Sequence, residues 1–330
     1  MSKKLVLCYD GTWNAMIDSP GEETDTNTNV ARMYSSITQS DSQLVMYDSG
    51  VGSQWYDRVV GGGIGLGIET NIKQGYAWLA DNYETGDDIY LFGFSRGAYT
   101  ARSLAGFLFR CGLLPRDNAS RVNIELAYQK YENHTIGKLA EWFLSSKASI
   151  VPIKFVGVWD TVGALGLPIE LLGVSDQLYA YHDVDFHENV QNAYHAVAVD
   201  EHRSIFNVTL WDPPSQTLAT IEQRWFVGAH TVVGGGYADL RQWPRHTLRW
   251  IQEKAQACGL ELTLVDAAAL DYSVAFHDSY GEFLKGKYSL KHDRLYRKIG
   301  ATQFGNEVLD ESVTEKMRLD DSYRPGNEGL

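Results

Sequence analysis

The chain has 330 residues, of which 44% are hydrophobic and 22% are charged, and its formal net charge is −13. This composition is typical of a soluble globular protein, and the acidic balance argues against a nucleic-acid partner, because binding a phosphate backbone needs a basic face. The length suffices for one large domain. We predict a single domain over residues 1–330, with a core at about 4–240 and a mostly helical part at 241–330.

The cysteines and the N-terminal segment bear on the compartment in which the chain is made. Cys8, Cys111 and Cys258 are far apart and form no CxxC pair, so we expect neither a disulfide framework nor a zinc site. We expect no metal ion and no cofactor. The start, MSKKLVLCYDG, has no signal-peptide pattern, and no apolar run reaches the roughly 18–20 residues of a membrane span. We therefore expect cytoplasmic synthesis, with secretion independent of a signal peptide left open.

Apolar runs and helical spacing define the predicted elements. In chain order they are a strand at Lys4–Tyr9, a helix at Val30–Ile37, a strand at Gln43–Tyr47, a glycine-rich turn at 61–67, a helix at Ile68–Asn82, a strand at Asp88–Phe92, a helix at Arg96–Phe109, two helices within 116–147, a strand at Ile153–Trp159, a helix at Val190–Glu201, and strands at Phe206–Trp211 and Gln223–Gly228. This alternation predicts a mainly parallel sheet covered by helices on both faces. The expected fold class is α/β, similar to an α/β-hydrolase, with a helical insertion or lid and with Gln223–Gly228 as the last strand of the sheet.

A candidate nucleophile lies between a predicted strand and a predicted helix. Residues 93–97, GFSRG, match the pattern GxSxG, in which a serine occupies a sharp turn after a strand. The flanking glycines keep side chains out of the crowded turn, and the N-terminus of the next helix directs N–H groups toward the reacting oxygen. The context predicts Ser95 as the nucleophile of a serine hydrolase.

A serine hydroxyl needs a base to take its proton and an acid to orient that base. In α/β-hydrolases these follow the nucleophile in the order serine, acid, histidine. Asp160, at the end of a predicted strand, is the preferred acid, and Asp200 is the alternative. His230, after the last predicted strand, is the preferred base, and His202 is the runner-up. His195 falls on the apolar face of a predicted helix and is expected to be a core residue.

The oxyanion hole is expected to use backbone N–H groups. One comes from the residue after the nucleophile, here Arg96, and the second comes from a loop after an earlier strand. Gly11 and Thr12, which follow the first strand, are best placed for that second donor. One such donor contributes roughly 3–4 kcal/mol of transition-state stabilisation, so the loop matters even without side-chain chemistry.

Several blocks of the sequence occur together in an order that resembles a known family. These blocks are CYDGTWN (8–14), TNVARMY (28–34), YDSGVGS (47–53), residues 71–114, FVGVWDTVGALG (155–166), AVDEHR (198–203) and WFVGAHTVVGGGY (225–237). Over roughly residues 4–240 the chain resembles the catalytic domain of the type VI secretion lipase-effector family. The resemblance implies an α/β-hydrolase with phospholipase activity and a Ser-Asp-His triad. It implies Ser95 as nucleophile, with the acid and the histidine among Asp160, Asp200, His202 and His230.

The expected function is hydrolysis of a carboxylic ester through an acyl-enzyme on Ser95, with a phospholipase or lipase-type esterase as the leading hypothesis. The expected substrate is a small-molecule or lipid ester, and peripheral membrane contact and the oligomeric state are left open. Two alternatives remain. One is a non-catalytic binding module on a hydrolase fold, because Val232 stands where relatives commonly have an acid two residues after the histidine. The other is a hydrolase of another acyl bond, such as a peptide or a polyester.

Overall fold

The computed structural model of the chain describes residues 2–11, 27–50, 63–163, 184–213, 217–237, 239–240, 242–266 and 268–330. Its strands are β1 (Lys4–Tyr9), β2 (Gln43–Asp48), β3 (Asp88–Phe94), β4 (Ile153–Trp159), β5 (Asn192–Ala198), β6 (Thr220–Phe226) and β7 (Glu307–Leu309). Its helices are α1 (Asn29–Ser36), α2 (Gly63–Asn82), α3 (Arg96–Cys111), α4 (Arg121–Tyr131), α5 (Lys138–Lys147), α6 (His230–Gly234), α7 (Gln242–Ala257), α8 (Ser279–Glu282) and α9 (Glu311–Leu319).

The strands of the described residues form one seven-stranded sheet in the order β2-β1-β3-β4-β5-β6-β7. Every pair of neighbouring strands is parallel. Because β1 has β2 on one side and β3 on the other, the strand order reverses at β1. In open α/β sheets, the carboxyl ends of the strands at such a point flank a crevice. The predicted α/β class with a mainly parallel sheet is confirmed.

Side chains of the strands alternate between two apolar layers. In β1, Leu5 and Leu7 pack in one layer with α2, α3 and α4, whereas Val6 and Cys8 pack in another with α1 and α7. A parallel sheet buried on both faces needs strands that are apolar at successive positions. This is why KLVLCY predicts β1 with the bounds that the structure has. The two helices predicted within 116–147 are α4 and α5, which precede β4, and the helical insertion or lid stays a prediction.

The predicted helix at Val190–Glu201 is wrong, because β5 lies there. Its sequence, NAYHAVA, contains the helix former alanine and shows no simple alternation. Both neighbours of β5 are strands, and six of its seven residues are buried. A central strand with both faces covered shows no two-residue period, and backbone pairing with β4 and β6 prevails over the local preference.

The predicted strand at Phe206–Trp211 is also wrong. A 3₁₀ turn covers Ser204–Phe206, and the following segment makes only an isolated bridge between Val162 and Val208. The backbone of Trp211 is instead hydrogen-bonded to the side chain of Gln223, at 2.7 Å through its N–H and 2.8 Å through its carbonyl. The place beside β5 is occupied by β6, and this apolar run is bound through the Gln223 side chain instead of pairing as a strand.

Two further expectations differ from the structure. The turn predicted at 61–67 is wrong from Gly63 onward, because α2 begins there. The part at 241–330 is not mostly helical: long irregular segments separate α7, α8 and α9, and β7 extends the sheet beside β6. A three-residue strand is too short to show a period, and its place comes from pairing with β6. The single-domain organisation stays a prediction.

Two negative findings concern only the part of the chain that the structure describes. None of its helices is both long enough and apolar enough to cross a membrane. The thiols of Cys8, Cys111 and Cys258 are free.

His195 is a core residue, as expected, but it lies in β5 and has no exposed surface. Its Nε2 accepts the Thr161 N–H at 3.0 Å, and its Nδ1 lies 3.2 Å from Oε1 of Gln223. Burial lowers the pKa of His195 to about 3. The neutral ring therefore binds the backbone directly after β4, next to Asp160.

Replacing His195 with leucine should lower stability in a pH-dependent way. At pH 7.5 we expect a loss of about 1–3 kcal/mol in the free energy of unfolding, because the buried Thr161 N–H loses its acceptor. Unfolded histidine gains a proton below about pH 6.5, whereas folded His195 does so only near pH 3. The contribution of His195 is thus complete above pH 6.5 and is lost as pH falls toward 3.

The difference between wild type and His195→Leu should accordingly shrink between pH 7.5 and pH 4.5. Urea unfolding at both pH values measures it. A difference that is constant or grows on acidification contradicts a neutral buried ring.

Candidate active site

Several predicted site residues meet at one edge of the sheet. Gly11 follows β1, Ser95 follows β3, Asp160 follows β4, and His230 begins α6 after β6. The strands are parallel, so their carboxyl ends lie at the same edge, where ligands of open α/β sheets bind. The topology therefore brings together residues that are far apart in the sequence.

Ser95 occupies a strained turn between β3 and α3. Its φ of 59° and ψ of −120° lie outside the regions that non-glycine residues favour. A Cβ on Gly93 would lie 2.4 Å from the carbonyl oxygen of Gly97, and one on Gly97 would lie 2.1 Å from that of Tyr9. The close approach of β1, β3 and α3 therefore requires both glycines. The Ser95 hydroxyl does not cap α3, so it is available to another partner.

That partner is His230, which lies between Ser95 and Asp160. The Ser95 Oγ is 2.9 Å from Nε2 of His230, and Nδ1 of the same ring is 2.6 Å from Oδ2 of Asp160. A carboxylate only accepts hydrogen bonds, so Nδ1 carries the proton. In the neutral ring, Nε2 is then free to accept the Ser95 hydroxyl. The structure thus joins the preferred nucleophile, base and acid in one hydrogen-bonded chain.

Two aromatic rings pack against the imidazole of His230. The ring centroids of Phe94 and Phe206 lie 4.6 Å and 5.0 Å from it. A Cβ on Gly234 would lie 2.0 Å from the Phe94 ring, so this glycine leaves room for Phe94 beside His230. Such packing restricts the rotation of the histidine and keeps Nε2 directed at Ser95.

The carboxylate of Asp160 has no exposed surface and four close donors. Besides Nδ1 of His230, they are the Ala198 N–H, at 3.0 Å from Oδ1, and two guanidinium nitrogens of Arg297, at 2.6 Å from Oδ1 and 3.1 Å from Oδ2. Burial alone would raise the pKa of Asp160. Arg297 and the hydrogen bond from His230 outweigh burial and hold that pKa well below its usual range. Asp160 is therefore a paired anion at any working pH.

The alternative acid and base lie outside this chain of hydrogen bonds. Oδ2 of Asp200 accepts the Gly228 N–H at 2.6 Å and the Tyr323 hydroxyl at 2.9 Å, so Asp200 holds the turn before α6. Burial raises the pKa of Asp200. Nδ1 of His202 lies 2.9 Å from the carbonyl oxygen of Leu295. Both residues support the surroundings of His230 and do not contact its ring.

Glu201 and Arg203 were not identified from the sequence and lie against the same site. They form a buried pair, with Arg203 nitrogens 2.8 Å and 2.7 Å from the two Glu201 oxygens. Oε2 of Glu201 also accepts the His230 N–H at 3.3 Å. The pair lowers the pKa of Glu201 against the effect of its burial. Alternating charges directly after a strand are the sequence signal that could have indicated it.

The three predicted oxyanion donors differ in whether the structure leaves their backbone N–H available. Arg96 is the first residue of α3, and the first N–H groups of a helix have no acceptor within it. Gly11 lies beside Ser95, since a Cβ on it would be 3.5 Å from the Ser95 Cβ. Its N–H, however, is donated to Oδ1 of Asp10 at 2.7 Å, so the carboxylate already occupies it. Thr12 lies outside the described residues.

Within the described ranges, no group of three or more histidine, cysteine, aspartate or glutamate side chains is arranged to hold a metal ion. The polar groups around the Ser95 hydroxyl at this edge instead include the His230 imidazole, the carboxylates of Asp160 and Glu201, and the guanidinium groups of Arg203 and Arg297. Such a set can move a proton from an alcohol to a ring nitrogen and stabilise the resulting imidazolium.

Comparison with known proteins gives one family match. The family described as T6SS, phospholipase effector Tle1-like, catalytic domain matches residues 3–254. An uncharacterised protein of Saccharomyces cerevisiae, YEL023C, is 30% identical over 240 residues, which cover 64% of this chain and 33% of the yeast protein.

Two solved structures are also similar. A crystal structure of an uncharacterised protein from Pseudomonas aeruginosa has a TM-score of 0.50 and 19% identity, over 80% of this chain and 47% of that one. The Tle1 effector bound to the VgrG spike from the type 6 secretion system has a TM-score of 0.42 and 17% identity, over 72% of this chain and 51% of that one. The chain spans about a third of the yeast relative and just under half of the Pseudomonas protein.

Adding one methyl group at the elbow should destabilise the protein. In Gly97→Ala, the new Cβ would lie 2.1 Å from the carbonyl oxygen of Tyr9, so α3 must move away from β1. We expect a loss of about 1–3 kcal/mol in the free energy of unfolding, measured by urea unfolding.

Gly137→Ala is the matched control, because a Cβ there meets nothing within 4 Å. Gly137 is the N-cap of α5, where alanine is less favourable than glycine, so this change should lower the free energy of unfolding by about 0.5–1 kcal/mol at most. Equal stability of the two variants contradicts the close approach at the elbow.

Proposed function

We propose, on the premise that this chain belongs to the family of T6SS phospholipase effector Tle1-like catalytic domains, that it is a serine hydrolase that cleaves a carboxylic ester. The observation that carries the proposal is the hydrogen-bonded chain from Ser95 through His230 to Asp160. Its position at the carboxyl edge of a parallel sheet, after a strained strand–helix turn, supports the same reaction.

In the proposed reaction, Nε2 of His230 takes the proton of Ser95 as its oxygen attacks the carbonyl carbon of the ester. Asp160 keeps the proton of the neutral ring on Nδ1 and stabilises the imidazolium that forms. The imidazolium then protonates the departing alcohol, which leaves an acyl group on Ser95. A water molecule, activated by His230 in the same way, releases the acid and restores the serine.

The negative oxygen of the tetrahedral intermediate needs backbone donors. We assign the Arg96 N–H as the first, because it begins α3 directly after Ser95. The Gly11 N–H is engaged by Asp10. Thr12 is therefore the remaining candidate among the two predicted for the second donor, and this assignment stays a prediction.

The proposed substrate class is a lipid ester, with a phospholipid as the leading hypothesis. Membership of a family described by a phospholipase effector supports it. Peripheral contact with a membrane and delivery without a signal peptide belong to the same proposal. Because the chain spans only part of its relatives, their partners are not transferred to it.

The alternative of a non-catalytic binding module depends on Val232. This residue is buried in α6, two positions after the candidate base. Acidic support for His230 comes instead from Asp160 on the ring and from Glu201 on the backbone N–H. The absence of an acid at position 232 therefore leaves the candidate triad complete, which favours an enzyme.

Covalent labelling tests the nucleophile. A fluorophosphonate probe should label the wild-type protein, and Ser95→Ala should abolish both labelling and the hydrolysis of p-nitrophenyl esters. Ser103→Ala is the matched control, because Ser103 is a buried serine of the same helix whose hydroxyl has no hydrogen-bond partner among the described residues. It should keep both activities.

Labelling of Ser95→Ala, or no labelling of the folded wild type, would overturn the proposed nucleophile. A panel of phospholipids, neutral esters, peptides and polyesters then separates the substrate classes. Hydrolysis of peptides or polyesters without hydrolysis of lipid esters would replace the leading hypothesis with the second alternative.

The choice of acid is tested by comparing two aspartates. Asp160→Asn should lower kcat by about 10⁴-fold, because an amide no longer favours the tautomer with its proton on Nδ1. Asp200→Asn keeps an oxygen for the Gly228 N–H and should lower kcat by less than about tenfold. Steady-state kinetics on folded variants measures both. A large loss in Asp200→Asn with none in Asp160→Asn would assign the acid to Asp200.

A further inference from the structure

Arg297 lies in an irregular segment after α8, beyond the residues that the family matches. Its side chain is nevertheless buried, with 1% of its surface exposed. One guanidinium nitrogen, Nη1, donates to Oδ1 of Asp160 at 2.6 Å and to the carbonyl oxygen of Ala198 at 2.8 Å. The other, Nη2, donates to Oδ2 of Asp160 at 3.1 Å and to the carbonyl oxygen of Phe206. The group therefore binds both oxygens of the candidate acid.

The backbone around Arg297 is held in place by the strand ends near the site. Leu295 exchanges hydrogen bonds with His202, whose carbonyl oxygen accepts the Leu295 N–H at 2.9 Å and whose Nδ1 lies 2.9 Å from the Leu295 carbonyl oxygen. The side-chain amide of Asn327 donates to the carbonyl oxygens of Arg297, at 2.9 Å, and Val199, at 3.1 Å. The segment that carries Arg297 is therefore held by hydrogen bonds, and it positions the guanidinium beside Asp160.

We propose that Arg297 is a positioning residue for the reaction, which holds the Asp160 carboxylate toward His230 and compensates its charge. The inference depends on the proposed function, in which Asp160 is the acid of the triad. If Arg297 has this role, residues beyond position 254, where the family match ends, are a required part of the active site.

The orientation follows from the geometry of the pair. A guanidinium that binds both oxygens of a carboxylate fixes its plane as well as its position. With Arg297 and the Ala198 N–H on Oδ1, the Oδ2 atom is directed at Nδ1 of His230. Loss of the guanidinium frees the carboxylate to turn, which weakens the alignment of the imidazole on Ser95.

Charge compensation has a separate effect on the pH range of activity. The imidazolium of His230 is attracted by Asp160 and repelled by the cation of Arg297, so the pair favours it less than an isolated carboxylate would. Removing the cation should let the imidazolium form at higher pH. The acidic limb of the pH profile of kcat/KM, where the base becomes protonated, should move in the same direction.

Other charged groups around His230 have to stay unchanged for this comparison. Among the residues that the structure describes, the titratable and charged groups that face the His230–Asp160 pair include Ser95, His195, Glu201, Arg203 and Arg297. Glu201 and Arg203 compensate each other as a buried pair. Arg297 is therefore the group to vary.

Two substitutions separate the effects of charge and of shape. Arg297→Gln removes the cation, and Arg297→Lys keeps it without the two-pronged geometry. We expect Arg297→Gln to move the acidic limb upward by about one pH unit, a tenfold change in the protonation equilibrium, and to lower plateau kcat by about 10–100-fold. We expect Arg297→Lys to keep the acidic limb within about 0.3 units of wild type and to lower plateau kcat by a smaller factor.

Lys316→Gln is the control for losing a buried cation from the same part of the chain. Lys316 is 2% exposed and donates to the carbonyl oxygens of Tyr272 and Val274 and to Asp320, none of which belongs to the hydrogen-bonded chain from Ser95 to Asp160. It should leave the pH profile in place. The measurements are the pH profile on a soluble p-nitrophenyl ester and the NMR titration of the His230 ring, each on protein shown to unfold cooperatively.

An upward shift in Arg297→Gln, absent from Arg297→Lys and Lys316→Gln, supports the proposal. Unchanged profiles in Arg297→Gln, or the same shift in Lys316→Gln, overturn it. If Arg297→Gln fails to fold, the test depends on Arg297→Lys. An unchanged plateau kcat in Arg297→Lys, or a shift of the acidic limb of its pH profile, overturns the proposal. If the wild type hydrolyses nothing, the proposed function fails, and the reaction-positioning role of Arg297 fails with it. The NMR titration then still measures whether removing the Arg297 cation changes the pH at which the His230 ring gains its proton.

Discussion

A negative charge without contact to solvent is the constraint around which this site is organised. Asp160 is completely buried, and a buried carboxylate is tolerated only where other groups bind it. Its donors come from separate parts of the chain: the last residue of β5, the start of α6, and the segment that carries Arg297. The need to bind one carboxylate thus ties the end of β4 to β5, to the helix after β6 and to the segment before β7.

The candidate base, His230, is also held by residues that are themselves bound by other side chains. Asp160 accepts a hydrogen bond from the ring of His230, Glu201 accepts one from its backbone N–H, and two aromatic rings pack against its imidazole. The guanidinium of Arg203 lies 4.0 Å from the Phe206 ring and also binds Glu201. Each group that touches the imidazole is itself held, which is what fixed catalytic geometry requires.

Sequence patterns predicted the parts of this arrangement that are local. The apolar runs of β1 and β4, the elbow around Ser95, and acidic or basic residues at strand ends all carry their signal within a few neighbouring positions. The sequence did not predict β5 as a strand, because a strand covered on both faces has no two-residue period and NAYHAVA contains helix-forming alanines. The strand predicted at Phe206–Trp211 was wrong for the opposite reason: the run has a strand-like pattern, but β6 pairs with β5 and the run makes only an isolated bridge.

Arg297 could not have been predicted, because it contacts Asp160 across 137 positions of the sequence and lies in a polar stretch without periodicity. This separation has a consequence for synthesis. Chains emerge from the ribosome N-terminus first, so Ser95, Asp160 and His230 are all made before the cation that binds the acid. Until residue 297 has been added, the Asp160 charge lacks its principal compensation. The nascent chain therefore cannot complete this site until residue 297 has been added and has left the ribosome.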